Sequence, residues 1–461
     1  MANEEQTLSI KDQIIEIIES SSPKQLQDSL VKFHPSDIAL AFEELDEEKR
    51  HFVLKSLNVH VLADIFEHLD QEDAAENVQW LDNEKAAHIL EEMDPDDAVD
   101  ILNELNESEM EQVLDKMQDE TADSLRNLAL YEADTAGSIM TTDYIELKKG
   151  IDVKDAMKSL IANAHTTEGI QRLFVVDDNN FLEGVIELKK LIQARSPMTI
   201  DELIQTEVIT ANVHDDSEEV ARLIQNYGIY ILPIVNDNNQ LQGVITMDDA
   251  ADILDEETDE DYARFAAISS DEDINESVLK SAFHRLPWLI VLLFLGSIIA
   301  TIIGSFETTL EQLTVLVFFL PLILDMAGNT GTQSLAVTVR GLSKDYFDQK
   351  GNAFKHVLKE LRVGFYNGLG IGFVSFFTTF LFLTLTGQVM EFGTPFLVAI
   401  TVSLSAFTAL TFASAFGAFF PLLLHKIKID PAVASGPFIT TLNDIIGLLI
   451  YFSLAILIIL N

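Results

Sequence analysis

Five apolar stretches fill the chain from Leu286 onward, at about 286–306, 312–340, 362–386, 395–424 and 432–460. Each can cross a hydrocarbon layer about 30 Å thick, which takes roughly 20 helical residues. Backbone exposed to lipid must satisfy its hydrogen bonds internally, so five such runs read as five membrane helices. The charges between them give a direction. Lys280 and Arg285 precede the first run, six basic residues from Arg340 to Arg362 occupy the second connection, and Lys426 and Lys428 lie in the fourth. The first and third connections carry Glu307, Glu311 and Glu391 but no Lys or Arg. Positive charge is retained on the cytoplasmic side, so the N-terminus is expected inside and Asn461 outside.

The rest of the chain has the opposite character. Residues 1–285 hold 66 acids and 21 bases, a net −45, whereas residues 286–461 hold 9 acids and 8 bases, a net −1. The overall charge of −46 therefore belongs to one part of the molecule. So acidic a surface argues against a nucleic-acid partner. The absence of cysteine rules out disulfides, thiolate metal sites and cysteine nucleophiles, and suits a reducing compartment. The opening MANEEQTLSIKDQ has neither a basic n-region nor an apolar h-region, so no secretory signal is expected and the acidic part should stay in the cytoplasm. Nothing resembles a Walker loop, a hydrolase elbow or a catalytic metal triad, so an enzyme is not expected, and no obligatory protein partner is evident.

Within the apolar runs two acids stand out, Asp325 in the second and Asp444 in the fifth, with no Lys or Arg at matching depth. A carboxylate there costs several kcal/mol unless it meets a cavity, a partner or an ion. It is either a protonated acid hydrogen-bonded between helices or part of a cation pathway, and the surroundings favour the pathway. In PLILDMAGNTGTQS, Asn329, Thr330, Thr332 and Gln333 add neutral oxygens, while Pro321, Gly328 and Gly331 are expected to interrupt the helix and free carbonyls. Near Asp444, Thr440, Thr441 and Asn443 do the same, with Gly436 and Pro437 expected to loosen the helix. His356 and His425 are expected in loops. Oxygen-only ligation suits a hard divalent cation. The candidate ligands are Asp444, Asp325, Asn329, Thr440 and Gln333, and a dimer would bring two copies of each acid to one axis.

The acidic part is itself repetitive. Leu45, Leu57, Leu69, Leu81, Met93, Leu105 and Met117 recur every twelve residues, most followed by Asp, Asn or Gln and then by a further acid. Such residues cap helices and complement the helix dipole, so residues 25–130 read as a small solenoid of short helices. Further on, LFVVDDNNFLEGVI (173–186) and LPIVNDNNQLQGVI (232–245) match at an offset of 59. Each reads as strand, Asn-Asn turn and strand, followed by a helix from Glu187 or Met247. The pair resembles tandem CBS domains, modules that pair, dimerise and sense adenine nucleotides or ions.

A twelve-residue helical repeat, a CBS pair, a linker helix and five spans, in that order, resemble the bacterial MgtE-type magnesium channels over nearly the whole chain. Pro321, Asp325, Gly328, Asn329 and Gln333 fill that family's pattern PxxxDxxGNxxxQ. The fold class expected is an all-α solenoid, an α/β CBS pair and an α-helical five-span pore domain. The domains are expected at 1–135, 136–199, 200–256, 257–284 (a connecting plug helix) and 285–461. The resemblance implies a homodimer in the bacterial plasma membrane that passes hydrated Mg2+ between protomers, with Asp444 as the main pore ligand. It also implies that Mg2+ bound at interdomain acids shuts the channel. Candidate regulatory ligands are Asp96 and Asp100, one turn apart on a helix, and Asp216, Glu218, Asp249, Asp252, Glu257, Glu260 and Asp261. ATP at the CBS pair is a further cofactor that the resemblance allows. The alternative is an ion-coupled carrier of Co2+ or Mn2+, with Asp325 and Asp444 as protonation sites and the CBS pair sensing nucleotide.

Overall fold

The computed structural model describes residues 9–163, 170–268, 277–342, 346–347, 349, 351–387, 394–428 and 435–460. The chain divides into two compact units, Met1–Asp255 and Glu256–Asn461. The first begins with short helices: α1 (Ile10–Ser20), α2 (Pro23–Leu30), α3 (Pro35–Glu43), α4 (Glu47–Ser56), α5 (Val59–Phe66), α6 (Gln71–Gln79), α7 (Asn83–Glu92), α8 (Pro95–Glu104), α9 (Glu107–Leu114) and α10 (Asp119–Leu128). The twelve-residue period sets their starts. Asp46, Asn58, Asp70, Asp82, Asp94, Asn106 and Gln118 are the successive N-caps of α4 to α10. The apolar anchor before each cap turns inward, and every one but Leu81 is buried. One apolar core runs through these helices and on to Ile234, Ile245 and Ala250.

Two α/β modules complete the first unit. One contains β1 (Glu146–Lys148), α11 (Val153–Asn163), β2 (Arg172–Val176), β3 (Leu182–Glu187) and α12 (Leu188–Gln193). The other contains β4 (Ala211–Asn212), α13 (Ser217–Tyr227), β5 (Ile231–Val235), β6 (Leu241–Thr246) and α14 (Met247–Ala266), which continues into the second unit. In each sheet the first strand is parallel to the second and the second antiparallel to the third. The offset of 59 persists at atomic detail. Asp177 Oδ1 accepts from the amides of Asn179 and Phe181, and Asn236 Oδ1 from those of Asn238 and Gln240. Asn180 and Asn239 both take φ near +60°, a conformation Asn tolerates well, at 66° and 60°. The two turns then join, because the Leu182 amide donates to Asn239 O and the Leu241 amide to Asn180 O.

The second unit holds α15 (Val278–Ser305), α16 (Glu307–Gln312), a 3-10 turn at Thr314–Phe319, α17 (Leu320–Leu342), α18 (Asn352–Thr386), α19 (Pro395–Lys426) and α20 (Gly436–Ala455). Among the described residues, five segments are long and apolar enough to cross a membrane: Val278–Ser305, Thr314–Leu342, Asn352–Thr386, Pro395–Lys426 and Gly436–Leu460. Four expectations need correction. Gly328 and Gly331 do not break the second span, since α17 is continuous through both. Gly436 and Pro437 start α20, where the missing Pro N–H costs nothing. His356 lies in α18, which begins ten residues before the expected span, and His425 lies in the last turn of α19. The single helix expected over 257–284 is interrupted: Ala267, at φ 61°, lies just beyond α14, and α15 starts at Val278. Residues 269–276 fall outside the described residues, as do Lys344, Lys350 and Glu391.

Several glycines of the membrane helices serve packing. A Cβ at Gly364 would stand 2.9 Å from Leu410 O, and one at Gly368 would stand 2.6 Å from Phe407 O, so α18 meets α19 backbone to backbone. The 3-10 turn leaves a carbonyl at Leu316, and the buried Tyr451 hydroxyl donates to it at 3.0 Å.

Candidate cation sites

Asp325, Asn329 and Gln333 recur every fourth residue along α17, share one face and are all exposed on the protomer. Asn329 Nδ2 donates to Asp325 Oδ1 at 3.1 Å. Helix α20 crosses at the glycines beside this row. A Cβ at Gly328 would lie 2.7 Å from Thr440 Cγ2 and 3.6 Å from Asp444 Oδ1, and one at Gly331 would overlap Asn443 Nδ2 at 1.8 Å. The hydroxyls of Thr332 and Thr440 are 3.1 Å apart. The absent side chains thus let Thr440 and Asp444 come up against the helix that carries the other three candidates. Asp444 Oδ1 is shielded from solvent and accepts no hydrogen bond among the described residues. An orphaned carboxylate oxygen is costly, and a cation or its water shell would satisfy it. The last turn of α14 is also near: Phe265 packs with Leu335 and Ile439, close to the start of α20.

In the first unit the carboxylates gather around α8. Asp94 differs from most of its counterparts in the repeat, because it occupies the N-cap position without making a side-chain cap hydrogen bond. Its carboxylate lies instead with those of Glu67 and Asp97, one oxygen from each within 4.8 Å of the others. Glu67 Oε1 also accepts from the Asp94 amide at 3.1 Å. Asp96 and Asp249 face one small polar pocket with Asp94, Asp143, Thr141 and Thr246. Asp249 is held there by the Thr246 amide at 3.1 Å.

Burial, followed by the charges of Glu67 and Asp94, pushes the Asp97 carboxyl up to about 8. Burial and then the Asp249 charge push Asp96 well up, and burial also raises Asp249. Acids desolvated together in this way form a site rich in oxygen with excess negative charge, which fits a divalent cation.

The other regulatory candidates are distributed differently. Asp100 accepts from Gln71 Nε2 at 3.0 Å, Asp216 caps α13 through the Glu219 amide at 3.1 Å, and Glu218 pairs with Arg222. Asp252 is raised by burial and then by Asp248 and Asp255. Glu257, Glu260 and Asp261 lie on α14 in the second unit, with Glu260 paired to Arg264. Sequence reasoning missed Glu67, Asp94 and Asp97. Glu67 and Asp94 are 27 residues apart, and the sign that the sequence carries is that Asp94 and Asp97 flank the candidate Asp96 in MDPDD.

Comparison with known proteins agrees along the chain. Residues 320–454 match a family model described as divalent cation transporter, and residues 33–134 match the MgtE intracellular N domain. Residues 136–197 and 200–256 each match the CBS domain. The magnesium transporter MgtE of Bacillus subtilis is 36% identical over 96% of both chains. That of Enterococcus faecalis is 38% identical over 96% of this chain and 95% of its own. A crystal structure of the cytosolic domain of the Mg2+ channel MgtE in complex with ATP covers 53% of this chain and 99% of its own, at 30% identity and a TM-score of 0.50.

Proposed function

The chain belongs to the MgtE family of magnesium transporters, and on that premise we propose that it is a Mg2+-selective channel for uptake, shut by Mg2+ bound to its own cytosolic acids. The observation that carries this reading is the row Asp325, Asn329 and Gln333 on an exposed face of a membrane-spanning helix, with Thr440 and Asp444 beside it. Such a row is costly against lipid. Two copies of the chain in a homodimer would turn it inward and pair the acids around one path. Mg2+ gives up its water reluctantly, so amide, hydroxyl and carboxylate oxygens at this spacing suit the hydrated ion better than a stripped one. The N-terminal unit would face the cytoplasm, following the basic residues of the second and fourth connections.

Regulation follows from the carboxylates around α8. Without a divalent cation Glu67, Asp94, Asp96, Asp97 and Asp249 repel one another; with Mg2+ they hold a compact arrangement. Helix α14 carries Asp249 in its first turn and Phe265, packed with Leu335 and Ile439, in its last, so it is the element suited to carry that change. Similarity to the ATP-bound domain supports an adenine nucleotide in the CBS pair as a second regulator, which ATP binding to the full chain would test.

The decisive experiment is Mg2+ uptake into proteoliposomes holding Asp444→Ala, with the mass of the solubilised particle measured in parallel. The expected outcome is a two-copy particle with uptake abolished. Undiminished uptake would remove Asp444 from the path, and a monomer active in the wild type would remove the shared axis.

A further inference from the structure

The membrane unit also buries an acid that is not among the candidate ligands. Glu360 of α18 is 5% exposed and forms no ion pair among the described residues. It meets Ser334, the residue after Gln333 on α17, and Ser414 on α19, both buried. The contacts are Glu360 Oε2 to Ser334 Oγ at 3.0 Å, Ser334 Oγ to Ser414 Oγ at 2.8 Å, and Ser414 Oγ to the Glu360 backbone carbonyl oxygen at 2.8 Å. They form a closed ring of three oxygen–oxygen contacts. Each needs one hydrogen, and two hydroxyls supply only two. The carbonyl has none, so the third must be on the Glu360 carboxyl. With it in place the ring runs one way: Glu360 donates to Ser334, Ser334 to Ser414, and Ser414 to Glu360 O. Without it, two oxygens are left 3.0 Å apart or closer with nothing between them.

One turn away the count repeats. Thr338 Oγ1 donates its only hydrogen to Ser334 O at 2.7 Å, so its 2.9 Å contact with His356 Nε2 needs a hydrogen on that nitrogen. Helix α18 thus donates twice to α17, on a different face from the one bearing Asp325, Asn329 and Gln333.

From this count we propose that Glu360 works as a neutral hydrogen-bond donor, a positioning residue that fixes the cation-facing helix α17 against α18 and α19. The transport consequence rests on the channel reading above; the protonation of Glu360 does not. The two are therefore tested separately in the full-length protein.

Loss of one partner from a buried hydrogen bond typically shifts an equilibrium by roughly tenfold. Glu360→Ala is accordingly expected to lower Mg2+ flux in proteoliposomes about tenfold, whereas Glu360→Gln, whose amide still donates, retains it. Equal loss in both variants would show that a charge is needed and overturn the proposal, as would full flux in both. If the alanine variant does not fold, the infrared difference between wild type and Glu360→Gln decides. A protonated-carboxyl carbonyl band lost in the glutamine variant supports the proposal; lost carboxylate bands overturn it. That spectrum holds its meaning even if the protein proves not to conduct Mg2+.

Discussion

Gly417 brings the backbones of two membrane helices into contact. A Cβ there would stand 2.2 Å from the carbonyl oxygen of Gly331, and no rotamer change can relieve a clash with backbone. Gly417→Ala should destabilise the membrane unit by about 1–3 kcal/mol, seen as a lower thermal midpoint in detergent. Gly296→Ala, with nothing within 4 Å of its new methyl, should leave the midpoint unchanged or raise it. At this scale only part of the site was legible in the sequence. Asp325 and Asp444 were legible because each is an isolated charge in an apolar run. Glu360 and His356 were not, because they lie among Lys355, Lys359 and Arg362 and read as part of a cytoplasmic connection. Intrinsic propensity makes Gly328 and Gly331 read as helix breakers, but a membrane helix with no alternative for its backbone stays intact and uses the missing side chain for approach.

Among the elements, the seven caps spaced by twelve make one repeat perform two tasks. Asp82 caps α7 by accepting from the Lys85 amide at 3.0 Å, and Asp82→Ala should cost about 1 kcal/mol. Asp94 makes no such bond and adds its charge to Glu67 and Asp97. Asp94→Ala should therefore raise thermal stability in the presence of a chelator and reduce the stabilisation that added Mg2+ gives. If the two variants behave alike, Asp94 is only another cap. The period made the helices and their starts legible, because capping is local chemistry. It could not distinguish Asp94 from Asp82, because the difference comes from Glu67 on the preceding α5–α6 connection. The paired strands were legible for a similar reason: the Asn-rich turns at 177–180 and 236–239 define their own geometry.

For the molecule as a whole, charge couples stability to pH. The folded state holds the carboxyls of Asp96, Asp97, Asp249 and Asp252 above their ordinary range, Asp97 up to about 8. An acid raised on folding binds more protons folded than unfolded between those values, so stability falls as pH rises from about 4 to about 8. The protection factors of amides within Pro95–Glu104, that is, exchange corrected for the base-catalysed intrinsic rate at each pH, should fall across that window when measured on the full chain with a chelator. Saturating Mg2+ should suppress the fall, and the protons released on binding should be measurable; a pH-independent protection factor would contradict the crowded-acid account. The sequence alone determined the division into a polar unit and a membrane unit, the helix starts, the paired hairpins and the family pattern around Asp325, because these follow from local propensity, hydropathy and spacing. Only the tertiary structure decided that Asp444 meets Gly328, that Glu67 joins Asp94 and Asp97, and that Glu360 closes a ring with Ser334 and Ser414. Each of these depends on side chains far apart in sequence that become neighbours when helices pack, and packing is set by the whole set of surfaces rather than by any one segment.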